Sequence, residues 1–261
     1  MKLLNYGALA FVALLASCGS GSKNDNDALP RVELQSFQYD VLAEVTDADS
    51  LPQPGAKYQR VTGEGVMPVS IGVRDLSQLR DSLEKLGNVS FITADKVEPR
   101  LDPDMFISET KTTDDVDACG SYYNSLTVSL VSPRLLVWKD YVSRYVCGAA
   151  HGMYRTVFLN YRVSDGKILS LADVMRPGYE EELAGMIRAR LKEDKVDLMV
   201  PLDKVEVSDI FEITSNGIRF LYPLYEIAPF SEGEISVSFD AFELEDLLAP
   251  GMLSFICGLP E

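Results

Sequence analysis

Residues 119–147 read CGSYYNSLTVSLVSPRLLVWKDYVSRYVC, and the fold turns on how this stretch doubles back. From Ser121 to Val131 apolar and polar residues alternate, with Tyr122, Leu126, Val128 and Leu130 on one face. That period of two belongs to a half-buried strand. Ser132-Pro133-Arg134 interrupts it, and a second apolar run returns from Leu135, so the two runs fold as a hairpin about Pro133. The register that pairs Val131 with Leu135 also sets Cys119 opposite Cys147, at about disulfide distance. A Cys119–Cys147 disulfide is expected, worth roughly 3–4 kcal/mol on the loop-entropy model. The same register places Asp140 on the apolar face; a bulge near it would shift the pairing by one.

Upstream of the hairpin, Arg31 to Val45 alternates as a first strand, and TDADSLPQPGA (46–56) is a turn-rich loop. KYQRVTGEGVMPVSIGV (57–73) is strand material containing Gly63 and Gly65, with Gly72 near its end. Asp75, with Gln78 three residues on, has capping-box spacing for a helix carrying Leu76, Leu79, Leu83 and Leu86, which Gly87-Asn88 ends. Those leucines are core residues. Residues 98–117 hold seven acids against two bases and few apolar residues, and read as a connection or exposed excursion. The Asp102-x-Asp104 and Asp115-x-Asp117 pairs lack the glycine and distal glutamate of an EF-hand loop, so a solvated acidic loop is the better reading.

Downstream, GAAHG (148–152) turns the chain into a third strand, MYRTVFLNYRV, and Ser164-Asp165-Gly166 marks a further hairpin turn before KILS. Ser170 and Asp173 can open a short helix that Pro177-Gly178 stops. A longer helix follows, with Glu180, Glu181 and Glu182 at its start and Arg188, Arg190 and Lys192 near its end, both favourable to the dipole. Leu183, Met186, Ile187 and Leu191 are its apolar stripe. Strands return at IFEIT, at IRFLYPLYEIAPF after the Ser215-Asn216-Gly217 turn, and at GEISVSFDAFELEDLL.

The chain opens with Lys2 and an apolar run from Leu9 to Ala16, well short of the about 20 residues that span a bilayer. A charged start, a short apolar region and small residues near a cut site make a secretory signal. LLASCGS (14–20) resembles the lipobox of bacterial lipoproteins, which implies acylation of Cys18 and a mature protein beginning there. GSGSKNDNDALP then reads as a flexible tether. The layout expected is a leader at 1–17, a tether at 18–29, an N-terminal domain at 30–116 and a C-terminal domain at 117–261. The protein is placed in the cell envelope, held outside the cytoplasm by lipid, with the outer membrane as the favoured bilayer.

The net charge is −16, or −17 once Lys2 leaves with the leader. Such a balance argues against nucleic acid or anionic lipid as principal partner and would favour a cationic one through steering, the alternative being an acidic surface that only confers solubility. An odd count of cysteines after lipidation suggests one disulfide and one buried thiol, Cys257. His151 is the sole histidine, so two-histidine zinc sites are excluded, and there is no C-x-x-C, no G-x-S-x-G elbow and no nucleotide-binding glycine motif. His151 is read as a turn residue whose ring bonds locally. Tyr141, Tyr145, Tyr154 and Tyr161 are candidates to line a ligand surface, with packing as the commoner role of strand aromatics. No cofactor and no metal is expected. Among 40 acids, a glycosidase pair cannot be picked from sequence.

Taken in order, YVCGAAHGMYRTVFLNYRVSDGKILSLADVM and, later, YEIAPFSEGEISVSFDAFELEDLL resemble the RsiV-like extracytoplasmic domain. That domain is the outer part of lysozyme-sensing anti-sigma factors and accompanies some peptidoglycan deacetylases. The resemblance covers roughly 119 to 250, with the small-residue His151-Gly152 turn, the strand from Tyr154 and the Tyr225–Pro229 stretch as its landmarks. The preceding GEGVMPVSIG and leucine helix resemble the smaller domain that commonly comes before it. Cys147 stands where the family commonly has glycine, in keeping with a lineage-specific disulfide. Neither a sigma-binding segment nor a deacetylase domain accompanies the resemblance.

An α+β protein of two domains is therefore expected, each an antiparallel sheet packed by one or two helices. The resemblance and the charge together imply a lipid-anchored, non-catalytic binding module capturing a cationic, lysozyme-like protein. His151, Gly152 and Tyr154 are the candidate surface. The alternatives are a protein that binds or modifies peptidoglycan or polysaccharide, and a structural envelope component.

Overall fold

The structure is a computed structural model that describes residues 32–45, 58–93, 96–101, 105–108, 111–114 and 116–259. The leader, Cys18, the tether, the 46–56 loop and the carboxylates of Asp102, Asp104 and Asp115 lie outside the described residues. The elements are β1 (Val32–Val45), β2 (Tyr58–Ile71), α1 (Ser77–Leu86), β3 (Val89–Thr93), β4 (Lys96–Pro99), β5 (Met105–Ile107), β6 (Ser121–Val131), β7 (Leu135–Tyr145) and β8 (Met153–Arg162). There follow β9 (Lys167–Ile168), α2 (Leu171–Val174), α3 (Glu180–Glu193), β10 (Phe211–Ile213), β11 (Gly217–Tyr222), β12 (Ile235–Asp240) and α4 (Met252–Cys257). Strands and helices segregate rather than alternate, which makes this an α+β protein. The sheets run β5-β1-β2-β6-β7-β8-β9, β10-β11-β12 and β3-β4. The chain divides into two compact units. Among the described residues, one holds those up to Thr127 with Asp140–Tyr154, the other Val128–Lys139 with those from Arg155 onward.

In the first unit β1 and β2 are long antiparallel partners, and Tyr39 faces Gly63 while Phe37 faces Gly65. The rings explain the GEG stretch, because a Cβ at Gly63 would overlap the Tyr39 ring and one at Gly65 would overlap Phe37. Each ring thus covers the bare backbone opposite it. β2 pairs with β6 in parallel, which requires the long connection through α1 and β3–β5. α1 buries Leu79 and Leu83. Its start differs from the sequence expectation. The helix begins at Ser77, and Asp75 accepts the Ser77 N–H (2.9 Å) and hydroxyl (3.2 Å) rather than sharing a reciprocal box with Gln78.

The hairpin turns as expected, with the Ser132 N–H donating to the Leu135 carbonyl at 2.9 Å, and Cys119 and Cys147 are joined across Cα atoms 5.3 Å apart. Asp140 is fully buried, and it is met there by Asn124, also fully buried, whose Nδ2 donates to Oδ1 at 2.5 Å. The hydrogen bond from Asn124 lowers the cost of burying this polar group on an apolar face. Burial, then Tyr122 and Asp140, push the nearby Tyr39 hydroxyl well above the phenol range.

In the second unit α3 lays Leu183, Ile187 and Leu191 onto a core shared with Phe211, Ile213, Phe220, Val237 and Phe239 of β10–β12. The buried Asn160 of β8 stitches this sheet, donating to the Phe211 carbonyl (3.0 Å) and accepting the Ile213 N–H (2.8 Å). α2 begins as its sequence implies, since the Asp173 carboxylate accepts the Ser170 N–H (3.0 Å) and hydroxyl (2.8 Å). Arg134 donates to the carbonyls of Ser254 (2.9 Å) and Leu259 (3.3 Å), which ties down α4.

Three further expectations need correction. β11 stops at Tyr222 instead of running on to Phe230, because Pro223 has no N–H to pair and Tyr225 takes a positive φ of 64°. β12 stops at Asp240, where the Asp240 N–H donates to Glu243 (2.8 Å) and the Phe242 N–H to Asp240 (3.0 Å); these local bonds replace the ladder. Cys257 is half-buried rather than buried, since α4 turns Met252 and Ile256 inward and leaves its last residue at the edge.

Candidate binding cleft

Two irregular segments of the second unit face each other, 200–210 and Glu226-Ile227, and enclose a cleft of about 390 Å³. Their placement comes from backbone bonds that no periodicity announces. Tyr222 Oη donates to the Glu206 carbonyl (2.6 Å), Ser208 Oγ to the Leu221 carbonyl (2.5 Å), and the Met199 N–H to the Ile227 carbonyl (2.9 Å). Arg188 of α3 adds Nε to the Val205 carbonyl at 2.9 Å, so the first wall is tied to the long helix. Ile227 and Ala228, both buried, anchor the second.

The lining sets three carboxylates, Glu206, Asp209 and Glu226, against one ammonium, Lys204. Glu226 is exposed at the rim, yet the walls partly desolvate its carboxyl. This burial, and then the nearby Asp209, raise its pKa above the usual 4.5. Beside it Tyr225 is held in the left-handed region, a conformation that costs a non-glycine residue energy and commonly marks functional turns. Its ring, 43% exposed, stands 5.9 Å from that of Phe230. The cleft can therefore accept cationic hydrogen-bond donors beside an aromatic surface. Among the described residues there is no group of histidine, cysteine and carboxylate side chains arranged to hold a metal.

Of the candidates from sequence, His151, Gly152, Tyr141, Tyr145 and Tyr154 belong to the first unit. His151 sits in an exposed turn with Nδ1 3.0 Å from the Gly152 carbonyl. Tyr154 is half-buried and belongs to a row. Its ring lies 6.0 Å from Tyr141, which lies 6.3 Å from Tyr123, whose hydroxyl donates to Glu64 at 2.8 Å. Tyr145 is exposed, and Tyr161 is a core residue of the second unit. Sequence reasoning missed Glu206 and Asp209 altogether. Glu226 it saw only within the Tyr225–Pro229 landmark, without a role; the acid spacing in PLDKVEVSD (201–209) was the available signal.

Residues 172–240, which include both walls, match the family described as "Protein of unknown function (DUF3298)". Two solved structures share the fold. A DUF3298 family member from Bacteroides fragilis NCTC 9343 is 18% identical with a TM-score of 0.57, covering 88% of this chain and 99% of that one. A DUF3298 family protein from Pseudomonas aeruginosa PAO1 is also 18% identical, with a TM-score of 0.54 and coverage of 83% and 95%. No curated protein sequence matches the chain. The cleft thus lies within residues 172–240, the stretch that matches the DUF3298 family.

Proposed function

We propose that this chain is a lipid-anchored binding module outside the cytoplasm, and that its second unit captures a cationic, lysozyme-like protein. The carrying observation is the cleft, which three carboxylates line with one lysine, and where burial and then repulsion from Asp209 raise the pKa of Glu226. A lysine or arginine side chain from a partner relieves that repulsion, and the net charge of −16 steers such a partner inward. Resemblance to the RsiV-like domain names the class of partner, and the lipobox at Cys18 supplies the anchor.

The test offers the full-length chain lysozyme and muropeptides side by side at low ionic strength. Salt-sensitive capture of lysozyme, weakened about tenfold or more by Glu226→Gln with Asp209→Asn, is expected. Lysozyme that fails to bind at low salt, or binds the double variant equally, overturns the reading. Mass spectrometry of Cys18 checks the anchor, since an unacylated Cys18 in the membrane fraction removes it. A second reading, glycan binding or modification, draws on the raised Glu226 beside Asp209, the pattern of a general acid near a second carboxylate. Retention of muropeptides in place of lysozyme selects it.

A further inference from the structure

A second concavity lies in the first unit, and its chemistry is opposite in sign. It is a cavity of about 80 Å³ lined by Gln59 and Val61 of β2, Tyr122 of β6, Arg144 of β7, and Arg100 and Leu101 after β4. About 10–15 Å³ suffices for one water on this measure, so the space holds several waters or one small anion, and it is far below the size of a sugar- or nucleotide-binding pocket.

Two polar groups there lack partners. Gln59 is only 8% exposed, and its side chain lines the cavity with no hydrogen-bond partner for its amide among the described residues. Arg144 pairs with no carboxylate among the described residues. Arg100 differs, because Glu84 (2.5 Å) and the Ser90 hydroxyl (3.0 Å) already hold its guanidinium, and it serves as a fixed wall. Val61 and Leu101 with the Tyr122 ring make the remaining surface apolar.

The site is also built to hold its shape. The Cys119 N–H donates to the Tyr58 carbonyl (2.9 Å) and the Arg60 N–H to the Gly120 carbonyl (3.3 Å), so Gln59 is clamped on both sides. Arg144 lies three residues before Cys147, and the disulfide fixes that strand end to Cys119. One structural staple therefore sets both unpartnered groups.

We infer that this cavity binds a carboxylate bearing a short alkyl group. A guanidinium fork and a primary amide are donors matched to a planar anion, and the apolar wall takes one or two carbons. The same chemistry is presented by a short-chain acid and by the free C-terminus of a peptide ending in a small residue. This site is independent of the acidic cleft.

The test follows the Gln59 side-chain amide of the full-length chain by NMR during titration with propionate, alanyl-alanine and alanyl-alanine amide. Saturable shifts with the two carboxylates and none with the amide are expected. Arg144→Ala should weaken binding about tenfold, while Arg144→Lys, which keeps the charge without the fork, should fall between. Tighter binding of the dipeptide identifies a peptide terminus, and tighter binding of propionate a free acid. The proposal is overturned if the amide shifts the resonance as the carboxylates do, if no carboxylate moves it, or if Arg144→Ala titrates as the parent does. Arg144 is exposed, so its variants should keep the parent fold, which near-ultraviolet circular dichroism checks.

Discussion

Asn160 shows how much one side chain can hold. It is 1% exposed and answers a carbonyl and an N–H of β10, so replacing it strands two buried backbone groups at once. Asn160→Leu should lower unfolding stability by about 2–4 kcal/mol, read from denaturant midpoints, where a surface asparagine would cost little. Asp140 makes a complementary point. The hairpin register set it on the apolar face, and the structure keeps it there by giving it Asn124. That outcome was half legible. Alternation fixed the face, but nothing in the local pattern of β6 identified Asn124 as its partner.

At the scale of elements, the hairpin was the most readable part of the chain, because strand period, turn proline and cysteine register agree. Its staple closes a sequence separation of 28 residues. Cys119→Ser with Cys147→Ser should cost about 3–4 kcal/mol of stability, and a reduced parent should match the double variant. α2 offers a pH prediction. Lys167, then the Ser170 N–H, hold the Asp173 carboxyl down to about 2, against an ordinary 3.8. A depressed acid stabilises the fold fully above its unfolded value and loses that contribution as pH falls. Stability should therefore decline between pH 3.8 and about 2, and Asp173→Asn should flatten this part of the profile. By contrast, the cleft walls were illegible. The 200–210 segment has neither period two nor period 3.6, and it is placed by contacts such as those of Tyr222, Ser208 and Arg188, which bond to its backbone or to its neighbour's.

For the whole molecule, charge governs the predicted behaviour. Capture of a basic protein should weaken steeply between 0.01 and 0.15 M salt, as the screening length falls from about 30 to about 8 Å. It should also weaken on acidification, beginning above the ordinary glutamate range, because Glu226 takes up its proton early. Glu206, Asp209 and Lys204 face it, and neither removing Lys204 nor shielding Asp209 should abolish the trend, whereas Glu226→Gln should move its onset to lower pH. Titration of capture against pH, at fixed salt, separates these outcomes.

The parallel pairing of β2 with β6 has a bearing on how the protein is made. A ribosome delivers the chain from its N-terminus, so β2 emerges long before Ser121–Leu126, the residues that will lie against its Arg60–Gly65 edge. Through that interval the edge offers bare N–H and C=O groups to any extended chain nearby, including another nascent copy. Arg60 and Glu64 on that edge carry opposite charges that discourage flat self-stacking, but they do not close it. The newborn protein thus passes through a stage prone to mispairing, and its yield depends on how soon the later half arrives or on what shelters the strand until then.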